Sequence, residues 1–249
     1  MGEPFELPLG VIKDGKVSRE VSLIPMTAGM RRTLASKSSQ KNPVRGMTEM
    51  LGKCCESIGG EPPTPAIING LVTGDRDFML LMVRQLSLGD IISTQMTCGS
   101  CSNDIIFDLA ISEMKIRTAE KDKDYKLDGN LPVVDFENDE LKIKAQLRLP
   151  TGFDQIAIAD KIRSDPVTAN YELFARLIRK WVDNEVEIGD PNTLDFIDNM
   201  PLRTLNWLEE VYRKVQPGPT WLTRVECSVC GARTLLDMGD SDFLFKTPR

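Results

Sequence analysis

Apolar positions fall into short alternating runs and longer helical stripes, and the two kinds take turns along the chain. Residues 5–12 are apolar-rich. Residues 16–24 place Val17, Val21 and Leu23 on one face, and Asp14-Gly15 supplies a turn between the two runs, so a β-hairpin is predicted. Pro25 ends the second strand, and Thr27 can cap a helix running through Met30, Leu34 and Ala35. A Ser/Lys-rich stretch over 37–42 reads as exposed. Helices are predicted over 44–58, closed by Gly59-Gly60, and over 65–71, after the Pro62-Pro63-Thr64-Pro65 cluster. Over 75–86 the block Phe78 to Val83 is apolar throughout, which predicts a helix buried on more than one face. Gly89-Asp90 turns the chain. A strand over 91–97 then leads into Cys98, and another over 104–110 leads out.

Residues 118–130 are almost entirely polar and read as a solvated loop. They predict a division into an N-terminal half (1–117), a polar linker (118–130) and a C-terminal half (131–249). The second half opens like the first, with strands over 133–136 and 141–149 around Asn138-Asp139, closed by Pro150. Thr151 with Asp154 three residues on signals a capping box, and a helix follows through Ile156, Ile158 and Ile162. After Ser164-Asp165-Pro166, the residues Phe174, Leu177, Ile178, Trp181 and Val182 form a stripe at helical spacing. A short helix over 192–199 is predicted next. Pro201 then opens a helix carrying Leu202, Leu205, Leu208, Val211 and Val215, which Pro217-Gly218-Pro219 stops. Strands over 221–226 and 233–237 flank Cys227. The fold class is α+β.

The two halves therefore echo each other: hairpin, a strand end followed by Pro, Thr and Gly, helices, and a strand entering and a strand leaving a Cys-x-x-Cys. The likeness lies in layout and a few residues, Leu23 to Gly29 against Leu147 to Gly152. Two unrelated stretches of similar order would give the same impression. A true duplication would relate the halves by a pseudo-twofold and bring the cysteine pairs together.

Composition narrows the chemistry. The chain has 249 residues and no His, which excludes His-based acid/base catalysis, Ser-His-Asp and Cys-His nucleophile systems, and every His-containing metal site. With Lys+Arg 31 against Asp+Glu 37, the net charge of −6 argues against sequence-independent nucleic-acid binding. No apolar run has the length of a membrane span and the N-terminus has no signal-peptide pattern. The expectation is a cytoplasmic protein with reduced thiols and no membrane insertion.

Cys98-Gly99-Ser100-Cys101 and Cys227-Ser228-Val229-Cys230 are knuckles whose spacing lets both thiolates of each reach one metal. Together Cys98, Cys101, Cys227 and Cys230 supply the complete tetrahedral set for one structural Zn²⁺ per chain. Iron or an iron–sulfur cluster is the alternative occupant, and a redox pair the alternative role. A redox Cys-x-x-Cys, however, sits at a helix N-terminus, and both pairs here sit between strands. A ribbon ordinarily spaces its knuckles some 15–20 residues apart. Here residues 102–226 intervene, so a shared metal would staple the halves. A closed four-thiolate site has no open position for catalysis, and no catalytic residues are assigned.

Other candidates read as structural. Cys54 and Cys55 fall in a helical segment as small buried groups. Asp75, Arg76, Asp77 and Arg84 read as caps and surface salt bridges. Trp181, Trp207 and Trp221 read as core. Phe243-Leu244-Phe245 would dock on the chain's own domain or on a partner subunit.

The early segment runs Leu7-Pro8-Leu9-Gly10, Asp14-Gly15-Lys16, Arg19-Glu20-Val21 and Leu23 to Gly29. Later come Asp75-Arg76, an apolar helix, Arg84-Gln85-Leu86-Ser87, Gly89-Asp90, a short strand and the first knuckle. This pattern resembles the baseplate and tail-assembly family of contractile phages and related contractile injection systems, best over 5–110 and more loosely beyond. The resemblance implies a non-enzymatic component of a baseplate or hub, or a chaperone of its assembly, with other baseplate, hub, spike or tube subunits as partners. A zinc-ribbon adaptor for transcription or RNA processing and a Cys-x-x-Cys redox protein are the competing readings.

Overall fold

The computed structural model describes residues 2–34 and 42–237. The expectations for Ala35, for residues 37–41 and for Phe243 to Phe245 lie outside the described residues.

The first half opens with the predicted hairpin, β1 (Glu3–Lys13) and β2 (Lys16–Leu23), antiparallel about Asp14-Gly15. Helices α1 (Ala28–Leu34) and α2 (Pro43–Lys53) follow. The chain then returns as β3 (Cys55–Ile58), beside β2. Next come α3 (Pro65–Gly70) and α4 (Thr73–Leu88), and the ribbon β4 (Ile91–Thr97) and β5 (Asp104–Ala110) ends in the first knuckle's turn. The polar run then crosses between the halves past β6 (Ile116–Arg117) and β7 (Lys126–Asp128). Ala119 and Tyr125 are buried within it, and β7 forms an edge of the second sheet.

The second half repeats this path. Its hairpin is β8 (Leu131–Asn138) and β9 (Ile143–Arg148), followed by helices α5 (Gly152–Ser164) and α6 (Pro166–Leu177). Strand β10 (Ile178–Asp183) lies beside β9, with the short β11 (Val186–Glu187) outside it. Then come α7 (Leu194–Asp198), α8 (Leu202–Val215), the two-residue β12 (Gly218–Pro219), and the ribbon β13 (Leu222–Glu226) and β14 (Arg233–Asp237). The architecture is α+β, and it is two pseudo-repeated halves.

The repeat holds in register as well as in order. Leu23 pairs Cys55 and Ser22 pairs Ser57, with Glu56 bulged between them. Leu147 pairs Ile178 and Gln146 pairs Lys180, with Arg179 bulged. Thr64 caps α3 by accepting from the Ile67 N–H at 3.2 Å, and Thr193 caps α7 by accepting from Phe196 at the same distance. Gly89 and Gly218 follow the long helices at φ 86° and 114°, where a Cβ would be strained. Thr64 and Thr193, Gly89 and Gly218, and Cys98 and Cys227 are each separated by the same 129 positions.

Two predicted helices stop short, at equivalent places. The helix expected over 44–58 ends at Lys53, and Cys55 opens a strand rather than continuing a helix. The stripe Phe174 to Val182 is helical only to Leu177. The bulge is the reason in both cases. It puts Cys55 and Ile58, and likewise Ile178 and Trp181, three positions apart on one buried face, which imitates helical spacing. Cys54 and Cys55 are nonetheless buried small groups as expected, and burial pushes both thiols up to about 11.

Each half has its own apolar core. Trp181 is fully enclosed against Phe196, while Trp207 and Trp221 are only partly buried. A polar seam joins the halves around the start of α4. This overturns the reading of Asp75, Arg76 and Arg84 as surface groups, because all three have no exposed surface. Asp75 accepts the Leu9 and Gly10 N–H groups at 2.8 Å each. Arg76 donates to Ile68 O, Asn69 Oδ1, Thr48 Oγ1 and, across the seam, Gln155 Oε1 at 3.2 Å. Arg84 donates to the carbonyls of Gly89 and Ile91, holding the turn into the ribbon. Asp77, half-buried, takes a hydrogen bond from Trp221 of the other half. Gly74 lies so close to Pro217 and Gly218 that a Cβ there would sit 1.8 Å from the Pro217 carbonyl oxygen. In the second half Asp154 is held bidentately by Arg148 at 2.6 Å and again by Arg176 at 3.1 Å. It also closes the predicted capping box with Thr151.

Candidate metal centre

The two ribbons bring the knuckles together. Each is a two-stranded antiparallel hairpin with alternating exposure, so one face can pack inward and the other looks out. The inner faces meet through Ile105, Val225, Met96, Phe107 and Leu236, with Cys98 and Cys227 buried among them. The turns are superposable bond for bond. Cys98 N donates to Asn103 O and Ser102 N to Cys98 O, at 2.8 and 2.9 Å. Cys227 N donates to Ala232 O and Gly231 N to Cys227 O, both at 2.9 Å. Ser102 and Gly231 occupy the same left-handed position, at φ 59° and 70°.

Cys98 Sγ lies 3.7 Å from Cys230 Sγ, and Cys101 Sγ lies 3.7 Å from Cys227 Sγ. A twofold that exchanges the knuckles turns one of these contacts into the other, so their equality is the local signature of the pseudo-symmetry. All four sulfurs lie within 4.8 Å of one another. A tetrahedron with metal–sulfur bonds of about 2.3 Å has edges of about 3.8 Å, so the cage is of the size a tetrahedral thiolate-bound ion needs. The four cysteines from both halves are within metal-binding distance of one point.

The electrostatics favour a cation there. Backbone N–H groups of Cys101 and Ser100 pull the Cys98 thiol below its ordinary value. The side chain and N–H of Asn103 bring Cys101 down to about 6. At Cys230 the Ala232 N–H favours the thiolate, but hydrogen bonding and crowding with the sulfurs of Cys101, Cys227 and Cys98 prevail and push it up to about 12. Thiolates packed this closely cannot all ionise by themselves. A divalent cation removes that opposition.

Asn103 is a site residue that the Cys-x-x-Cys spacing does not reveal. Its Nδ2 donates to Cys101 Sγ at 3.3 Å, and the matching position of the second knuckle is Ala232, which has no side-chain donor. A polar residue two positions after the second cysteine is the one signal that could have found it.

Fold and site thus define a duplicated α+β protein whose halves meet at a polar seam and a shared four-cysteine cluster. The family model described as T4 bacteriophage base plate protein matches residues 7–244, and the chain belongs to that family. Comparison with curated proteins and with solved structures gives no match. Among the described residues no helix is long and apolar enough to cross a membrane.

Proposed function

We propose that the chain is a non-enzymatic structural or assembly component of a contractile tail baseplate or hub, with its two halves stapled by one Zn²⁺ on Cys98, Cys101, Cys227 and Cys230. The observation that carries this reading is the convergence of two knuckles, 129 positions apart, in a chain of the baseplate family. Among first-row metals zinc suits a closed tetrahedral thiolate set and brings no redox chemistry. Its role here is to hold the halves, 1–117 and 131–249, in one orientation. The partners are other subunits of the tail, and assembly takes place in the cytoplasm, where reduced thiols are available to the metal.

Metal analysis of the purified chain tests the staple. One zinc per chain is expected, lost in both Cys98→Ser and Cys227→Ser. Unchanged metal in Cys227→Ser would overturn the shared site, and stoichiometric iron would overturn the choice of zinc. Co-purification with other tail subunits, without any substrate turnover, tests the assembly role.

A further inference from the structure

Away from the ribbons, the halves of one chain are joined head to tail. One side of the joint is the start of α4; the other is the turn before α5 together with the end of α8. Thr73 N–H donates to Pro150 O at 2.9 Å, Gly152 N–H donates to Leu71 O at 3.2 Å, and Val72 and Thr151 form an antiparallel β-bridge. Gly74 meets Pro217 and Gly218 beside them. Duplication gives each side a counterpart that this joint leaves unused. At the 129-position offset the start of α8 matches the start of α4, and the residues before the two helices share one conformation, Val72 at φ −60°, ψ 150° and Pro201 at φ −56°, ψ 134°. Thr27 precedes α1 as Thr151 precedes α5, so Met26 and Ala28 stand where Pro150 and Gly152 stand.

What the joint buries in one half is open in the other. Val72, Gly74, Thr151 and Gly152 are buried, whereas Pro201, Arg203, Thr27 and Ala28 are exposed, and Leu202 is 66% exposed. The backbone groups agree. Leu202 N–H, Met200 C=O, Met26 C=O and Ala28 N–H are the counterparts of the four groups bonded across the joint, and none has a hydrogen-bond partner among the described residues. Charge distinguishes the two open surfaces. Within the chain α5 packs on α3, so the counterpart contact sets α1 of one copy on α7 of another. Helix α7 carries exposed Asp195 and Asp198, and residues 181–202 hold no basic residue; Arg203, next along, is already paired with Glu140 at 2.8 Å. Helix α1 carries exposed Arg31 and Arg32, and residues 21–48 hold no acidic one. Asp90, at the end of α4, is taken up by Ser112 and Gln85.

We propose that the start of α8 in one copy of this chain (Met200 to Leu202, with Asp195 and Asp198 of α7) docks on the turn before α1 of another copy (Met26 to Ala28, with Arg31 and Arg32). The contact repeats between chains the joint that holds the halves within one. Its centre is apolar and hydrogen-bonding, Met200 and Leu202 against Met26 and Ala28, and acidic side chains on one surface face basic ones on the other. The contact is heterologous, so each added copy leaves one surface of each kind free, and the array closes into a ring or extends. Arg203 stands in the place of Gly74, where a Cβ would fall 1.8 Å from the carbonyl oxygen across the joint. The closest part of the joint is therefore not repeated, and the contact between copies is looser than the one between halves. Without that approach and without a tether, copies separate on dilution. The proposal does not depend on which metal fills the cluster.

The test is sedimentation of the full chain, with metal retained, from micromolar to roughly millimolar concentration. The wild type should show a weight-average mass that rises past two chains. The variants D195R/D198R and R31D/R32D should each stay at one chain, and an equimolar mixture of the two should associate again, because each surface then meets the opposite charge. Leu202→Pro removes an N–H and a side chain at a first helical position, which tolerates proline. It should fold normally by circular dichroism and metal content, yet need at least about tenfold higher concentration to associate. A wild type that stays at one chain throughout, or stops at two, overturns the proposal. So does either charge variant associating alone as the wild type does, and so does unaltered association of folded Leu202→Pro.

Discussion

The two halves follow one path and bury different chemistry on it. At the start of α4 the first half encloses Asp75 and Arg76, which bond to β1, α2, α3 and α5. At the corresponding turn of α8 the second half encloses Thr204 and Leu205. Asp75 in the first half and Asp154 in the second are both buried carboxylates, and their acidities shift in opposite directions. Asp75 receives two backbone N–H groups, but burial dominates and raises it to about 6. At Asp154 burial pushes upward too, yet the hydrogen bonds and charge of Arg148, with Thr151 and Arg176, prevail and hold it at about 2. The difference teaches that a duplicated fold keeps its chain path and its bulges while the joint between copies becomes asymmetric. At the joint the sulfur contacts of the cysteine cluster stay symmetric, at 3.7 Å each.

The largest effect should come where the halves are equivalent. Removing the metal with a chelator, or making Cys98→Ser or Cys227→Ser, should lower the melting temperature by roughly 10 °C or more, and by the same amount for the two serine variants. Unequal losses would break the symmetry of the site. Where the halves differ, the substitutions should differ. Asp75→Ala leaves two buried N–H groups unpaired and should cost about 3–5 kcal/mol in denaturant unfolding, whereas Thr204→Ala should cost about 1 kcal/mol.

The pH dependence of stability separates the carboxylates. Asp75 binds its proton more tightly when folded, so its contribution falls as pH rises from about 4 to about 6, by roughly 3 kcal/mol; Asp75→Asn should remove that share of the slope and leave the share of Asp77, which burial also raises to about 6. Asp154 contributes above its ordinary value near 4 and loses this as pH drops to about 2, by roughly 2 kcal/mol, a loss absent from Asp154→Asn. The smallest effect concerns Asn103. Asn103→Ala should weaken metal binding roughly tenfold in chelator competition, and adding Ala232→Asn should restore part of it by moving the donor to the other knuckle.

The hairpins, the capping box at Thr151 and all four cysteines were legible because each depends on local spacing or on a residue's own hydrogen-bonding reach, whereas the caps at Thr64 and Thr193 emerge only from the structure. The strands β3 and β10 were not, since a bulge gives buried residues three apart and three apart also fits a helix. The seam was hidden for another reason. Asp75 and Arg76 look like any charged pair at a helix start, and it is partners distant in sequence, Leu9, Gly10, Thr48 and Gln155, that make them interior. The echo of Pro, Thr and Gly after each hairpin pointed toward duplication, but the constant 129-residue offset begins only at Thr64, beyond the loops whose lengths differ.

The separation of the knuckles also has a meaning in time. A ribosome adding about 5–20 residues per second takes on the order of ten seconds to pass from Cys101 to Cys227. Throughout that interval Cys98 and Cys101 stand without the two thiols that complete the cluster, so the joint between the halves closes only after the second ribbon has been made.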